Sequence, residues 1–279
     1  MKKYLLFGNG ESPHLVKWVK ALNEHYELYL ASSQGVADEI KELIPAGRMF
    51  SFNLDVKESG GNVVFFRTLL PLMRIIRRTS PDIVNAHYIT SHGFIAALAK
   101  SLLRKTFFLV LSAWGTDILV TPGRNAMYSA ITRFALRKAG LITSDSVAVI
   151  DRIGKMATTP VMTFPFGLDR LPAASFADKD PSLYFSNRTL NENSNIGRVL
   201  ELFRDIAAND PDARLIIANE GSRMESLRAL SEEMKLGGKV EFKGFLKAAE
   251  QDEIYRKAQY YFSIPSSDAL SVSLLEAMA

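Results

Sequence analysis

The sequence predicts an α/β protein of two successive Rossmann-like domains, and three observations lead there. Short apolar runs alternate with helical stretches through residues 1–170. A Pro-, Ala- and Asp-rich segment without a clear period interrupts them at 171–181, and the alternation starts again over 182–279. In the first half the candidate strands are Tyr4–Phe7, Glu27–Leu30, Arg48–Phe52, Ile83–Ala86, Phe107–Leu111 and Leu141–Thr143. Helical stretches at Leu15–Leu22, Val63–Arg78, Gly93–Leu103 and Asn125–Lys138 fall between them, as crossovers of a parallel sheet would. After the linker, strands are expected at Leu183–Ser186, Arg214–Ala218, Lys239–Lys243 and Tyr260–Ile264, with helices at Ile196–Ala208, Met224–Met234 and Gln251–Ala258. The second alternation stops inside a helix after about four strands, which suggests a truncated form of a longer chain.

Composition narrows the class. A chain of 279 residues with 47% hydrophobic and 23% charged residues is long enough for two domains, each with a core. There are no cysteines, which excludes disulfides and thiolate metal sites and permits a reducing cytoplasm. Tyr4-Leu5-Leu6-Phe7 is too short for a signal-peptide core or a membrane span. Net charge is +4, but residues 1–170 hold 21 Lys/Arg against 13 Asp/Glu and residues 171–279 hold 13 against 17. The basic half suits an anionic membrane surface or a phosphate-bearing acceptor. Nucleic acid fits poorly, because no basic run with interleaved aromatics is present.

The chain's end carries the strongest chemical signal. Pro265-Ser266-Ser267-Asp268 turns the chain after an apolar run, and a helix is expected to open near Leu270. Asp268 then stands where it can help to cap the helix, while Glu276 lies nearly two turns inside. Free N–H groups at Leu270 and Ser271 offer donors to a phosphate, and Glu276 can accept hydrogen bonds from sugar hydroxyls. A plain capped amphipathic helix fits the same spacing.

Other candidates lie at strand ends. Gly8-Asn9-Gly10 follows the first strand, where glycines admit a ligand or another loop; a simple tight turn explains them as well. A dinucleotide fingerprint is excluded: Pro13 occupies the third glycine position, and Leu30-Ala31-Ser32 ends the second strand without a ribose-binding acid. His14 shares a helical face with Trp18 and Leu22, so packing is an alternative to activity. His87 lands just past the strand Ile83–Ala86, where an imidazole that titrates near neutrality can orient a substrate or bond to a loop. In Trp114-Gly115-Thr116-Asp117 the indole can shield a sugar but cannot exchange protons, and Asp117 is either an acceptor contact or a turn former. Arg188 ends the strand Leu183–Ser186 with a cation suited to phosphate. Val63–Arg78 mixes apolar residues with arginines, as a helix lying on an anionic bilayer or a crossover helix with a solvated basic face would. Asp178-Lys179-Asp180 imitates a metal-binding Asp-x-Asp, but its place in the linker argues against a metal.

Together these segments resemble retaining glycosyltransferases of family 4, which have the GT-B fold of two Rossmann-like domains facing a cleft. Asp268 and Glu276 match the acid-x7-Glu pattern that ends in Leu-Glu-Ala-Met-Ala; Pro81-Asp82 with His87-Tyr88, Phe242-Lys243-Gly244-Phe245 and Arg188 match as well. The likeness covers nearly the whole chain and is strongest over 80–118 and 183–279. It implies a UDP- or GDP-sugar as co-substrate, with no cofactor and no metal. Arg188, Asp117 and His87 are the implied catalytic residues. Arg188, Asp268, Leu270, Ser271, Glu276, Gly244 and Phe245 would hold the donor: the guanidinium its diphosphate, Glu276 its ribose, and Phe245 a place near the base. Gly8, Asn9, Gly10, His14 and Trp114 would border the phosphate and the acceptor.

Three positions depart from the family pattern. Asp268 replaces the commoner Glu, Trp114 stands where many members have a histidine, and Asn193 occupies the place of a second phosphate-binding cation, a lysine. A branch with Trp-Gly-Ser/Thr-Asp fits the second departure, since His14, Trp18 and His87-Tyr88 agree with it. The expected activity is transfer of a sugar to a cell-envelope or exopolysaccharide acceptor, carbohydrate or lipid-linked, by a cytoplasmic enzyme. Its basic first domain would be free to touch the inner face of the membrane. The alternative is a catalytically idle GT-B protein that binds nucleotide or a partner. An NAD oxidoreductase lacks its fingerprint.

Overall fold

The structure, a computed structural model, describes residues 1–55, 63–103, 106–163, 167–168 and 178–279. The chain divides into two compact units, Met1–Pro165 and Phe166–Ala279. Residues 171–177 of the expected linker lie outside the described residues, and Asp180 and Pro181 already belong to a strand.

The first unit runs β1 (Lys3–Gly10), α1 (Pro13–Leu22), β2 (Glu27–Val36), α2 (Asp38–Leu43), β3 (Met49–Ser51), a 3-10 turn (Val63–Thr68), α3 (Leu69–Thr79), β4 (Ile83–His87), a π-helical turn (Tyr88–Gly93), α4 (Phe94–Leu102), β5 (Phe108–Ser112), α5 (Thr116–Leu119), α6 (Ala126–Lys138), β6 (Leu141–Ser144), α7 (Val147–Gly154) and β7 (Val161–Thr163). Its seven strands are all parallel, in the order β3-β2-β1-β4-β5-β6-β7. The order reverses between β1 and β4, and the carboxyl ends of those two strands are where open α/β sheets bind ligands. Leu5, Leu6, Phe7, Val84 and Leu111 are fully buried, as strands covered on both faces require.

The second unit runs β8 (Asp180–Ser186), α8 (Ile196–Asn209), β9 (Arg214–Ala218), α9 (Met224–Glu233), β10 (Val240–Gly244), α10 (Ala248–Lys257), β11 (Ala258–Tyr261) and α11 (Val272–Met278). Its parallel order is β10-β9-β8-β11, so the reversal here lies between β8 and β11. Phe203, Val199 and Leu200 of α8 pack with Leu215 and Ile217 of β9 in the core.

Several expectations change. Gly8-Asn9-Gly10 is not a loop after the first strand: β1 continues through Gly10, which pairs with Val36 beyond a bulge. The run Val63–Arg78 is not one helix. Pro71 would clash with the carbonyl four residues back, so the α-helix begins at Leu69 with a 3-10 turn before it. The last helix opens at Val272 rather than near Leu270, because Ser271 is its cap: the Ser271 hydroxyl accepts from the Leu274 N–H at 3.3 Å. Helices α2 and α7 and the edge strand β7 are additions to the sequence reading. Asp180 of the Asp-x-Asp pair accepts hydrogen bonds from Arg214 and from the Ser182 N–H, at 2.6 and 2.9 Å. No helix among the described residues is long and apolar enough to cross a membrane.

One glycine fixes the turn after β9. A Cβ on Gly221 would stand 2.4 Å from the Leu190 carbonyl oxygen, a backbone atom that cannot swing aside, whereas a Cβ on Gly47 would meet nothing within 4 Å. Gly221→Ala should therefore lower stability by about 1–3 kcal/mol in urea denaturation, and Gly47→Ala should stay within about 0.5 kcal/mol of the parent. Equal behaviour of the two variants would refute the packing described.

Candidate functional site

Two clusters gather at the two sheet reversals. In the first unit, Gly8 of β1 and His87 of β4 meet: a Cβ on Gly8 would lie 3.3 Å from the His87 Cβ. Around them the His14 and Trp114 rings stack at 4.6 Å, and His87 lies 5.6 Å from both Trp18 and Trp114. Residues far apart in the sequence, His14, Trp18, His87 and Trp114, thus form one aromatic wall at the strand ends.

The turn that follows His87 and the loop that carries Trp114 are held by Asp117. Gly115 has φ +111°, a region closed to side chains, and this reversal brings the Asp117 carboxylate back onto its own loop. One oxygen accepts from the Trp114 N–H at 3.1 Å, and the other accepts from the Ile89 N–H at 2.8 Å in the π-helical turn after β4. Asp117 is 3% exposed and ties the loops after β4 and β5 together. Burial pushes its carboxyl up to about 6, against the backbone hydrogen bonds, which pull it down. Of the two expectations for Asp117, an acceptor contact or a turn former, the second fits a buried carboxylate whose two oxygens already serve the backbone.

His87 is also not the neutral-range titrating group expected from its type. It is buried beside two other histidines, and burial first, then their charge, lowers it to about 3. Its Nε2 lies 3.2 Å from Asn85 Oδ1, an atom that only accepts, so the ring carries its proton on Nε2. Asn85 in turn donates to Ser112 Oγ at 3.0 Å, and Thr143 donates to the same hydroxyl at 2.8 Å. A polar chain across β4, β5 and β6 therefore sets the tautomer. Asn85, polar within the otherwise apolar run Ile83–Ala86, is the sequence signal for it. Asn9 and Gly10 serve the backbone: Asn9 accepts from the Glu11 N–H at 3.0 Å, and the Gly10 N–H donates to Ser32 Oγ at 2.8 Å.

In the second unit Arg188, just past β8, reaches the segment between β11 and α11. It donates to Asp268 at 2.6 Å, to Ser271 at 2.5 Å and to Ser273 at 3.4 Å. Asp268 does not cap α11; its other oxygen accepts from the Ala269 N–H at 2.9 Å. Partly buried Leu270 lies between Asp268 and the capping Ser271. Asn193, at the place of the missing lysine, braces the turn instead. Its side chain donates to the Ser267 carbonyl at 2.9 Å and accepts from the Ser267 N–H at 3.1 Å. Asn195 adds bonds to Ile264 and Ser266, at 3.0 and 2.9 Å, and the turn that carries Asp268 is thereby fixed.

Glu276 is one turn inside α11 and accepts from the Tyr255 hydroxyl at 3.1 Å. Tyr255 itself accepts from Asn187 at 2.9 Å, and Asn187 accepts from Tyr261 at 2.6 Å. Burial, reinforced by the charges of Tyr261 and Glu276, raises Tyr255 well above the ordinary phenol range and keeps it a donor. Asn187 precedes Arg188 directly, which places the Glu276 support beside the guanidinium. Nothing in the sequence pattern marks Tyr255, since its link to Glu276 spans 21 residues and two elements. Gly244, at φ +69°, joins the same system through Asn219, whose N–H donates to its carbonyl at 2.6 Å and whose amide donates to Asn187 O at 3.1 Å. Phe245 beyond it is 68% exposed.

The family profile described as glycosyl transferase 4-like matches residues 3–146, and the profile described as glycosyl transferases group 1 matches residues 169–279. Among curated proteins the chain is similar to N-acetyl-alpha-D-glucosaminyl L-malate synthase of Bacillus anthracis. Identity is 20% over 220 residues, covering 75% of this chain and 57% of that protein, so the chain spans little more than half the relative's length. Similar solved structures include the lipopolysaccharide outer core galactosyltransferase WaaB in apo form, with TM-score 0.69 and 17% identity over 99% of this chain and 78% of that one. Another is Anabaena HepE in complex with UDP and glucose, with TM-score 0.75 and 14% identity over 100% and 78%. These likenesses are of fold, and the fold is GT-B.

The buried titratable groups make stability depend on pH. His87 and His92 take up protons only near pH 3 when folded but near 6.5 when unfolded, so each contributes stability above 6.5 that is lost as pH falls toward 3. Asp117 acts the other way, because its folded value near 6 lies above the ordinary 3.8 and its cost shrinks as pH falls through that window. Two histidines outweigh one aspartate. Lowering pH from 7 to 5 should reduce unfolding free energy by on the order of 2 kcal/mol, at about 1.4 kcal/mol per pKa unit, and His92→Gln should flatten the fall. Stability that is unchanged or higher at pH 5 would contradict neutral, buried imidazoles.

Proposed function

Because the chain belongs to the glycosyl transferase 4-like family, we propose that it transfers a sugar from a nucleotide-sugar donor to a cell-envelope or exopolysaccharide acceptor with retention at the anomeric carbon. Donor recognition is assigned to the second unit and acceptor recognition to the first. The observation that carries the reading is the meeting of Arg188 with Asp268 and Ser271 at the reversal between β8 and β11. A guanidinium has five N–H donors; those directed at Asp268, Ser271 and Ser273 leave others for a diphosphate. Glu276, oriented by Tyr255, is suited to ribose hydroxyls, and Asp268 to the donor's sugar. The names of similar proteins support this: one is an N-acetyl-alpha-D-glucosaminyl L-malate synthase, and another was crystallised in complex with UDP and glucose.

In the proposed reaction the bond from the anomeric carbon to the diphosphate oxygen breaks while the acceptor oxygen bonds to the same face of that carbon. The acceptor hydroxyl proton passes to the departing diphosphate, and Arg188 balances the charge that develops there, in place of a metal. Neutral His87 is assigned hydrogen-bonding rather than proton exchange, and Asp117 is assigned the positioning of the turn after His87 and of the loop that carries Trp114.

A second reading, a nucleotide-binding GT-B protein without turnover, rests on Asn193 in the lysine's place, where it is bonded to the Ser267 backbone. Incubation of the full-length protein with labelled UDP- and GDP-sugars separates the two. Transfer or donor hydrolysis supports the enzyme; tight nucleotide binding with neither supports the idle protein. Glu276→Ala should weaken donor binding by about 1.5–3 kcal/mol, the worth of a charge-assisted hydrogen bond. Unchanged affinity would remove Glu276 from the site.

A further inference from the structure

Three neighbouring helical segments of the first unit contain no acidic residue. Val63–Thr79, α4 and α6 together carry eight Lys or Arg and no Asp or Glu. α3 packs on α4 and α4 on α6, so the three form one continuous layer. Its inner face is the usual apolar one, with Leu72, Ile76, Ile95, Ala96, Ala135 and Leu136 buried.

The outer face combines cations with large apolar groups left in water. Phe66 is 51% exposed, Leu70 62% and Met127 61%, and Arg67, Arg74 and Arg78 are exposed beside them along the first segment. Rings bridge the layer: Phe66 meets Phe94 edge-on at 5.9 Å, Phe94 meets Phe134 at 5.8 Å, and the Lys138 ammonium sits 5.8 Å over the Phe134 ring. A solvated crossover helix has no need for this combination. Charges of one sign repel one another across the layer, and exposed Phe and Leu forfeit burial.

We propose that this layer docks on an anionic lipid bilayer, with its guanidinium groups at the level of the headgroup phosphates and Phe66 and Leu70 in the boundary with the acyl chains. Charge complementarity selects an anionic partner, and the apolar groups between the arginines select a bilayer over nucleic acid, whose phosphates match the cations but offer nothing to Leu70 or Met127. The proposal rests on this surface alone and stands apart from the sugar-transfer reading.

Flotation with vesicles tests it. The full protein is mixed with vesicles of phosphatidylcholine, or of equal parts phosphatidylcholine and phosphatidylglycerol, over a range of sodium chloride concentrations. Binding is expected to the anionic vesicles only, to weaken as salt rises, and to fall at least about tenfold in Arg74→Glu/Arg78→Glu, since each basic group near such a surface is worth roughly 1 kcal/mol. Phe66→Ser/Leu70→Ser should weaken binding severalfold at constant charge, and circular dichroism of both variants should match the parent. Absence of binding at low salt, equal binding to neutral vesicles, or full binding by the charge-reversed variant overturns the proposal. Full binding by Phe66→Ser/Leu70→Ser together with competition by duplex DNA overturns it in favour of a general polyanion surface.

Discussion

A single guanidinium holds the chemistry of the second unit in place. Arg188 leaves the end of β8 and bonds to Asp268, Ser271 and Ser273, some eighty residues later in the chain, with its side chain only 16% exposed. A lysine could supply the charge but not the planar fork that meets a carboxylate on one nitrogen and two hydroxyls on the other. Because the pair is partly shielded from water, removing the guanidinium would leave the Asp268 carboxylate partly buried without its cation. The neighbouring contacts serve the same constraint. Asn193 and Asn195 fix the turn before Asp268, Ser271 fixes the start of α11, and Tyr255 fixes Glu276 from the other side.

The first unit solves a different problem by different means. Its strand ends carry rings rather than charges, and burial keeps His87 and His92 neutral. Orientation there comes from hydrogen bonds: Asn85 sets the proton on His87, and the Asp117 carboxylate joins the loops after β4 and β5. Tyr88, at φ +66°, begins the π-helical turn between them, a conformation that a non-glycine residue holds only where its surroundings impose it. A dry, pre-set imidazole suits hydrogen bonding to a hydroxyl better than the acceptance of a proton from it.

Much of the fold was legible because buried parallel strands are continuous apolar runs with crossover helices between them. β9 matched its expected ends, and β4, β5 and β6 shifted by one residue or less at each end. The edge strand β7 escaped because a three-residue strand with exposed Met162 and Thr163 has no apolar signature. The N-cap of α11 was misplaced because Asp268 and Ser271 are both good caps: in the fold the Asp268 oxygens are taken by Arg188 and the Ala269 N–H, while the Ser271 hydroxyl, although it also meets Arg188, accepts from the Leu274 N–H. For the site, residue type and strand-end position made Arg188 and His87 candidates, and the spacing of two acids at the turn and the last helix made Asp268 and Glu276 candidates. Environment was not legible: burial changed the expected titration of His87 and turned Asp117 inward, and Tyr255 joins Glu276 only through tertiary packing.

Calorimetric titration of UDP and GDP into the parent protein and into Arg188→Ala tests the central constraint most directly. If Arg188 grips a diphosphate at the reversal between β8 and β11, one of the two nucleotides binds the parent and binds the variant at least about tenfold more weakly, the loss expected for a charge-assisted hydrogen-bonding group. Equal affinity of the parent and the variant for that nucleotide would contradict it.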